Sequence, residues 1–493
     1  MRLFQSAKVS QLILTVLFLS IFLASCEQDF VETPTGTVEF PDEISQLFNT
    51  PYTSNNLSCT TPSCHASENS ASGLNLADWQ STMNGSQNGS MAVPYNGFWS
   101  YMFSVVNADT NYGPVSTVGL SEYHKLDSAK VSLIRNWIDQ GAKSKDGRVA
   151  LKDQPINEKF FITNQASDLV AVVNSKTKLI SRFIPVGGRS NQLDAPHYIS
   201  LSHDNRFFFV SLIQEGYLEK YDVNTDYPFN KTDRTAAGLN PAHIEISPDN
   251  NYGYVSNFDA SGTQRTVRKF STSPLQVIDT VSNVRMSAPH GMALNSDGSV
   301  LFVASQIGEH LFRITTSDFE IESFERVDPS VDPNGTGTGN FGPYQVVLSP
   351  DETKLFVSLR EANKVGVYNS QTLERISLIE VGTKPLLMKF TNDGQYLFVC
   401  NRNSNTVSVI NAGSLTVVST ITGVGIQPHG VDFTTDGQYA IIACETQTGF
   451  DGHHPQSGNF KTGVSRIIRI SNFTLEDTRL QMGSFPAGIV AGR

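Results

Sequence analysis

The sequence predicts a mainly β fold, a seven-bladed β-propeller preceded by a small all-α domain. Three observations carry that reading. A proline-led strand recurs through the C-terminal two thirds of the chain, the segment before it has helical spacing, and the first 25 residues have the pattern of an export signal. The 493 residues are 39% hydrophobic and 17% charged, enough apolar matter for a core, which excludes disorder throughout. A net charge of −11 argues against nucleic acid as a partner, because a grip on phosphates needs basic surface to displace counterions. Five cysteines are too few for a disulfide scaffold.

Residues 1–25 form the signal. Arg2 and Lys8 are followed by residues 12–24, apolar except for Thr15 and Ser20. Thirteen helical residues cover about 20 Å, short of the roughly 30 Å hydrocarbon core. Leu23-Ala24-Ser25-Cys26 then resembles the lipobox of bacterial lipoproteins. That resemblance implies lipidation of Cys26, a membrane partner through the acyl chains, and an exported lipoprotein at the outer membrane, on its periplasmic side or at the cell surface. Residues 26–40, with Glu27, Asp29 and Glu32, read as a tether.

Residues 41–150 have helical spacing. Ile44, Leu47 and Phe48 share one face of a helix opened by Pro41-Asp42-Glu43, and Asp127 caps another that carries Val131, Ile134, Trp137 and Ile138 and stops at Gly141. Between them lies Cys59-Thr60-Thr61-Pro62-Ser63-Cys64-His65. Two thiols followed by an imidazole fit covalent haem attachment, the thiols adding to vinyl groups and His65 binding the iron. A Cys59–Cys64 disulfide beside a bystander His65 accounts for the same residues in an oxidising compartment.

Together with Trp79, Met83-Asn84-Gly85 and the closing Trp137-Ile138-Asp139-Gln140-Gly141-Ala142, the order resembles small cytochrome c-type domains of secreted bacterial proteins. The resemblance implies haem c held by Cys59 and Cys64, with His65 as proximal ligand. Such domains carry a Met-Pro before the last helix, whereas residues 112–119 contain no methionine. His124 is the preferred substitute, ahead of Met102 and Met91.

From residue 155 to 493 the chain repeats. Pro196, Pro241, Pro289, Pro343, Pro385 and Pro428 each start a short strand with an aspartate eight residues on, at a spacing of 42 to 58 residues that suits four strands per blade. A seventh start, Pro486, has no strands after it, while residues 159–186 supply three strands with none before them. Joining the two ends completes a seventh blade and removes the open edge. With Phe161-Ile162-Thr163-Asn164 and Tyr254-Val255-Ser256-Asn257 as looser forms of its strand motif, the chain resembles the YVTN family of secreted β-propellers, which implies the fold and leaves function open.

His197, His290 and His429 each follow a repeat proline, and His243 lies one position further. That places them at one mouth of the central channel, with His453-His454 and Glu309-His310 in loops of the same face. His197, His290 and His429 are the candidate metal or substrate ligands, a second metal beyond the haem iron. The plainer alternative is that each packs locally, since their blades are not all neighbours. Insertions at 327–342 and 445–463 belong to this face. Cys400 and Cys444 read as core thiols.

The expected function is a lipid-anchored haem c-binding protein that transfers electrons between the helical domain and a partner or site on the propeller face, an oxidoreductase if it is an enzyme. Two alternatives stand beside it. One is a non-catalytic surface propeller binding protein or glycan; the other is a metal-dependent periplasmic enzyme at the channel mouth.

Overall fold

Each strand that faces the channel starts at a repeat proline, and the residue before it is held in an unusual conformation. Ala195, Asn240, Ala288, Gly342, Lys384, Gln427 and Phe485 all have φ between 44° and 61°. Six of these are not glycine, so the left-handed backbone is strained. A hydrogen bond repeated in every blade stabilises it. Each of these carbonyls accepts the N–H of the residue just after the blade's second strand: Ile213, Phe258, Gln306, Arg360, Arg402, Glu445 and Gln165 in turn. The other end of the strand closes in an aspartate turn. Asp204, Asp249, Asp297, Asp351, Asp393 and Asp436 each accept the backbone N–H two residues on, the side chain replacing a backbone acceptor.

The computed structural model describes residues 37–51, 57–62, 64–66, 71–116, 125–328, 332, 339–447, 454–455 and 461–493. Among them are twenty-eight strands, β1 to β28 in chain order, in seven four-stranded sheets. The innermost strands are β4 (Pro196–Leu201), β8 (Pro241–Ile246), β12 (Pro289–Leu294), β16 (Pro343–Leu348), β20 (Pro385–Phe390), β24 (Pro428–Phe433) and β28 (Pro486–Ala491). Each packs on the next, and β28 touches both β24 and β4, so the ring closes. The closing blade is built from both chain ends. β28 pairs antiparallel with β1 (Lys159–Asn164), with Phe160 opposite Ala491 and Ile162 opposite Ile489. The seven blades expected from the repeat count are therefore present.

Residues 37–150 contain four short α-helices among the described residues: α1 (Asp42–Asn49), α2 (Trp79–Met83), α3 (Tyr101–Val106) and α4 (Ser128–Asp139). Asp127 caps α4 by accepting the Lys130 N–H at 3.0 Å, and the helix buries Val131, Ile134, Trp137 and Ile138. The chain between the helices is irregular. Residues 39–493 pack as one unit, and a shared core crosses the expected boundary near residue 150. Val93 and Trp99 join Phe160, Leu169, Phe183 and Ile489, and Ser90 Oγ donates to the Ile180 carbonyl at 2.8 Å. Cys400 and Cys444 are buried in one interblade core.

Candidate active site

The proline-led register brings side chains of distant blades together, because the channel is narrow at the level just after the prolines. His197 on β4 and His290 on β12 meet across it, Nε2 to Nε2 at 3.1 Å. The plainer expectation of local packing rested on these blades not being neighbours. The structure shows why that inference fails: across a channel, contact depends on the radius rather than on blade order.

The third member of the group is His454, from the insertion between β25 (Tyr439–Cys444) and β26 (Val464–Arg469). One ring nitrogen from each of His197, His290 and His454 lies within 4.8 Å of the others. Burial, followed by repulsion from the neighbouring imidazoles, holds His197 and His290 well below the ordinary histidine range and lowers His454 to about 3. All three rings are neutral at physiological pH.

His429, expected in this trio, stands beside it with its ring 6.1 Å from that of His197. A buried carboxylate determines its orientation. His429 Nδ1 donates to Glu445 Oε1 at 2.7 Å, and the Arg402 guanidinium donates to both Glu445 oxygens at 2.7–3.0 Å. Arg402 and Glu445 are both fully buried. Sequence reading missed this pair, although a repeat signal was present. Both occupy the position whose N–H bonds the carbonyl ahead of the repeat proline, and that position looks inward.

Beneath the histidine layer the channel widens into a cavity of about 600 Å³, lined in part by Tyr198, His243, Glu245, Gln345, Lys389, Asp432 and Arg493. His243 Nε2 lies 2.9 Å from Glu245 Oε1, and its ring stacks on Tyr198 at 3.9 Å. Burial, reinforced by Glu245 and Asp432, pushes the Tyr198 phenol well above its usual range, so it remains a neutral donor. Lys389 Nζ lies 3.5 Å from Asp432 Oδ2. This polar wall follows from alternation: Glu245, Lys389 and Asp432 hold the same position in three innermost strands.

The remaining expected residues are scattered. His310 packs on Phe312 and Phe324, away from the cluster, and His203 sits in an aspartate turn, Nε2 3.1 Å from the Ile246 carbonyl. Cys26, His124 and His453 lie outside the described residues. In the helical segment a cavity of about 50 Å³ is lined by Cys59, His65, Met91 and Met102 with Phe48 and Leu74. His65 Nδ1 is 3.3 Å from the Leu74 carbonyl.

Glu309 on the same face provides a test by pH. Its Oε1 accepts the N–H groups of Phe341 and Gly342, yet burial outweighs these bonds and, with Asp328 and Glu361 nearby, raises the carboxyl from 4.5 to about 7. An acid whose folded value exceeds its unfolded one binds more protons when folded. Its contribution to stability is therefore greatest below about pH 4.5 and is lost as pH rises to 7, by on the order of 1–3 kcal/mol. In Glu309→Gln, urea melts between pH 5 and 8 should lack this decline; an unchanged slope would reject the assignment.

The lactonase family, described as a seven-bladed β-propeller, matches residues 267–418. The chain is 20% identical over 280 residues to a 6-phosphogluconolactonase of Cronobacter sakazakii, covering 53% of this chain and 80% of that one. It is 22% identical over 307 residues to one from an Enterobacter species, covering 59% and 86%. A shorter match, 31% over 111 residues, is to antigen Lp49 of Leptospira interrogans, covering 20% and 23%. Among solved structures, the periplasmic gluconolactonase PpgL of Pseudomonas aeruginosa has a TM-score of 0.54 at 15% identity, covering 68% of this chain and 99% of that one. A protein from Lactobacillus plantarum has a TM-score of 0.53 at 15% identity, covering 67% and 98%.

These relatives correct two expectations. Electron transfer through haem was the expected function, and an oxidoreductase the expected enzyme class. The relatives that cover most of the propeller are named for lactone opening, a hydrolysis in which water is consumed and no electrons change hands. The periplasmic enzyme named above as an alternative fits them better. Residues 159–491 thus form a seven-bladed β-propeller, similar over residues 267–418 to the lactonase family.

Proposed function

We propose that this protein is an exported hydrolase that opens hydroxylated lactones in the central channel of its propeller. The observation that carries the reading is the cavity of about 600 Å³ bounded by the His243–Glu245 pair. Its volume suits a sugar-sized ligand. His243 Nε2 donates to Glu245, whose carboxylate is the partly exposed member of the pair and faces the cavity. That carboxylate takes a proton from water as the water oxygen attacks the lactone carbonyl carbon. The same proton then passes to the ring oxygen as its bond to that carbon breaks, leaving a hydroxy acid. His243 orients that carboxylate through its Nε2 contact at 2.9 Å. Tyr198 is a neutral donor for the carbonyl oxygen, and Lys389 and Arg493 offer charge for an anionic substituent.

The test is hydrolysis of δ-gluconolactone and its 6-phosphate, measured above spontaneous opening. Glu245→Gln should lower kcat about 10²- to 10⁴-fold, and His243→Ala should lower it by a smaller factor, with melting temperatures little changed. Wild-type rates no faster than buffer, or full activity in Glu245→Gln, would sink the reading.

A second reading concerns the helical segment, where Cys59 and Cys64 would hold a haem c covalently and His65 would bind its iron. The lining of the small cavity by Cys59, His65, Met91 and Met102 supports it, as does the contact of His65 Nδ1 with the Leu74 carbonyl, which orients the ring. Bound haem would supply an iron centre whose character its axial ligands determine. Met91, Met102 or His124 would serve as sixth ligand. Protein from a host that attaches haem c should give a pyridine haemochrome that survives acid-acetone extraction; a colourless preparation would reject this cofactor. Lipidation at Cys26, which would anchor the exported chain at the outer membrane, belongs to the same proposal.

A further inference from the structure

We propose that His197, His290 and His454 bind one divalent transition-metal ion of the zinc class, which ties two non-adjacent blades to the insertion 445–463. Zinc takes imidazole nitrogens at about 2.0–2.1 Å, so two ligands at a tetrahedral angle stand about 3.3 Å apart. The His197 and His290 Nε2 atoms are 3.1 Å apart, close to that separation. A hydrogen bond between two neutral rings explains that pair alone. It does not explain why a third histidine, carried on an insertion, brings a ring nitrogen within 4.8 Å of both.

The donor set selects the ion. Three imidazoles without a carboxylate suit zinc, copper, nickel or cobalt rather than calcium or magnesium, which take oxygen. The nearby carboxylate of Glu445 is occupied by His429 and Arg402, so it supplies charge without being a ligand. Aromatic rings pack around the cluster. Phe258 is 5.2 Å from His454 and 5.4 Å from His290, and Tyr344 stacks on His290 at 3.9 Å. Three protein ligands leave a fourth tetrahedral position for water. Beside His454, the Pro455 carbonyl accepts from the Gln214 side-chain amide.

The site lies one layer above the His243 cavity and does not rest on the lactonase reading. Tag-free protein would be stripped with chelator, reloaded with Zn²⁺ or Co²⁺ and desalted, and its metal measured by elemental analysis, with cobalt also read by its tetrahedral absorption bands. The expected result is one ion per chain and a higher melting temperature with metal. His454→Ala, a change on the insertion that leaves the strands intact, should weaken binding more than about tenfold and lose the metal-dependent rise in melting temperature. His197→Ala should do the same, whereas His429→Ala should keep the ion. Substoichiometric metal in wild type, or undiminished binding in folded His454→Ala, overturns the proposal. Metal is read without substrate, so a protein that binds zinc yet opens no lactone fails the other reading and not this one.

Discussion

Deleting residues 486–493 is expected to abolish cooperative folding rather than trim the ring. The lost strand is the innermost one of the closing blade, and without it β1 presents an open edge to water. Ile489 and Ala491 leave the core they share with Phe160, Ile162 and Phe183. A fully buried aliphatic side chain is worth roughly 1.5–3 kcal/mol, and two interblade contacts, with β24 and β4, go with it. Size-exclusion chromatography should show aggregate, and thermal unfolding should lose its single transition. A folded, monomeric truncated chain would show that the ring does not depend on this closure. A milder form of the test is Gly488→Val. A Cβ there would lie 2.8 Å from the His197 carbonyl oxygen and 3.0 Å from the Tyr198 Cα, so the substitution should displace β4 and the histidine it carries.

The second large effect concerns Arg402 and Glu445. Glu445→Ala should cost about 3–5 kcal/mol, because it leaves a guanidinium in the interior without its counter-charge. Arg402→Met should cost a comparable amount by stranding the carboxylate. The double variant should recover much of either loss, because removing both charges also removes the desolvation cost. Urea melts of the three variants measure this coupling. Strict additivity would mean that the bidentate contact at 2.7–3.0 Å contributes nothing specific. Glu445→Ala also removes the acceptor that holds His429 Nδ1, so a changed His429 ring orientation should accompany the loss.

The ring was legible before any coordinates because each blade repeats two local devices. A strand that starts at a proline and closes on an aspartate turn can be counted by eye, and Pro486 without following strands already implied closure with residues 159–186. The site was only half legible. His197 and His290 are marked by their shared position after a proline, whereas His454 sits in an insertion that follows no repeat, and His429 shares the proline position yet bonds Glu445 instead. Glu445 and Arg402 went unnoticed because their burial depends on the channel and not on their neighbours in the chain. Haem chemistry is signalled by one compact motif, yet the relatives follow the propeller, where polar residues spread over five strands and the C-terminal arginine carry no motif at all.

What the chain determines by itself is therefore periodic and short-range: strand length, turn chemistry, blade number and the position of each side chain along its strand. Such features depend on residues within a few positions of one another. Tertiary structure alone decided which of those side chains meet, because contact across the channel is a matter of radius and of where an insertion lands. It made His454 the partner of His197 and His290, turned His429 toward Glu445, and left the His243–Glu245 pair facing open volume.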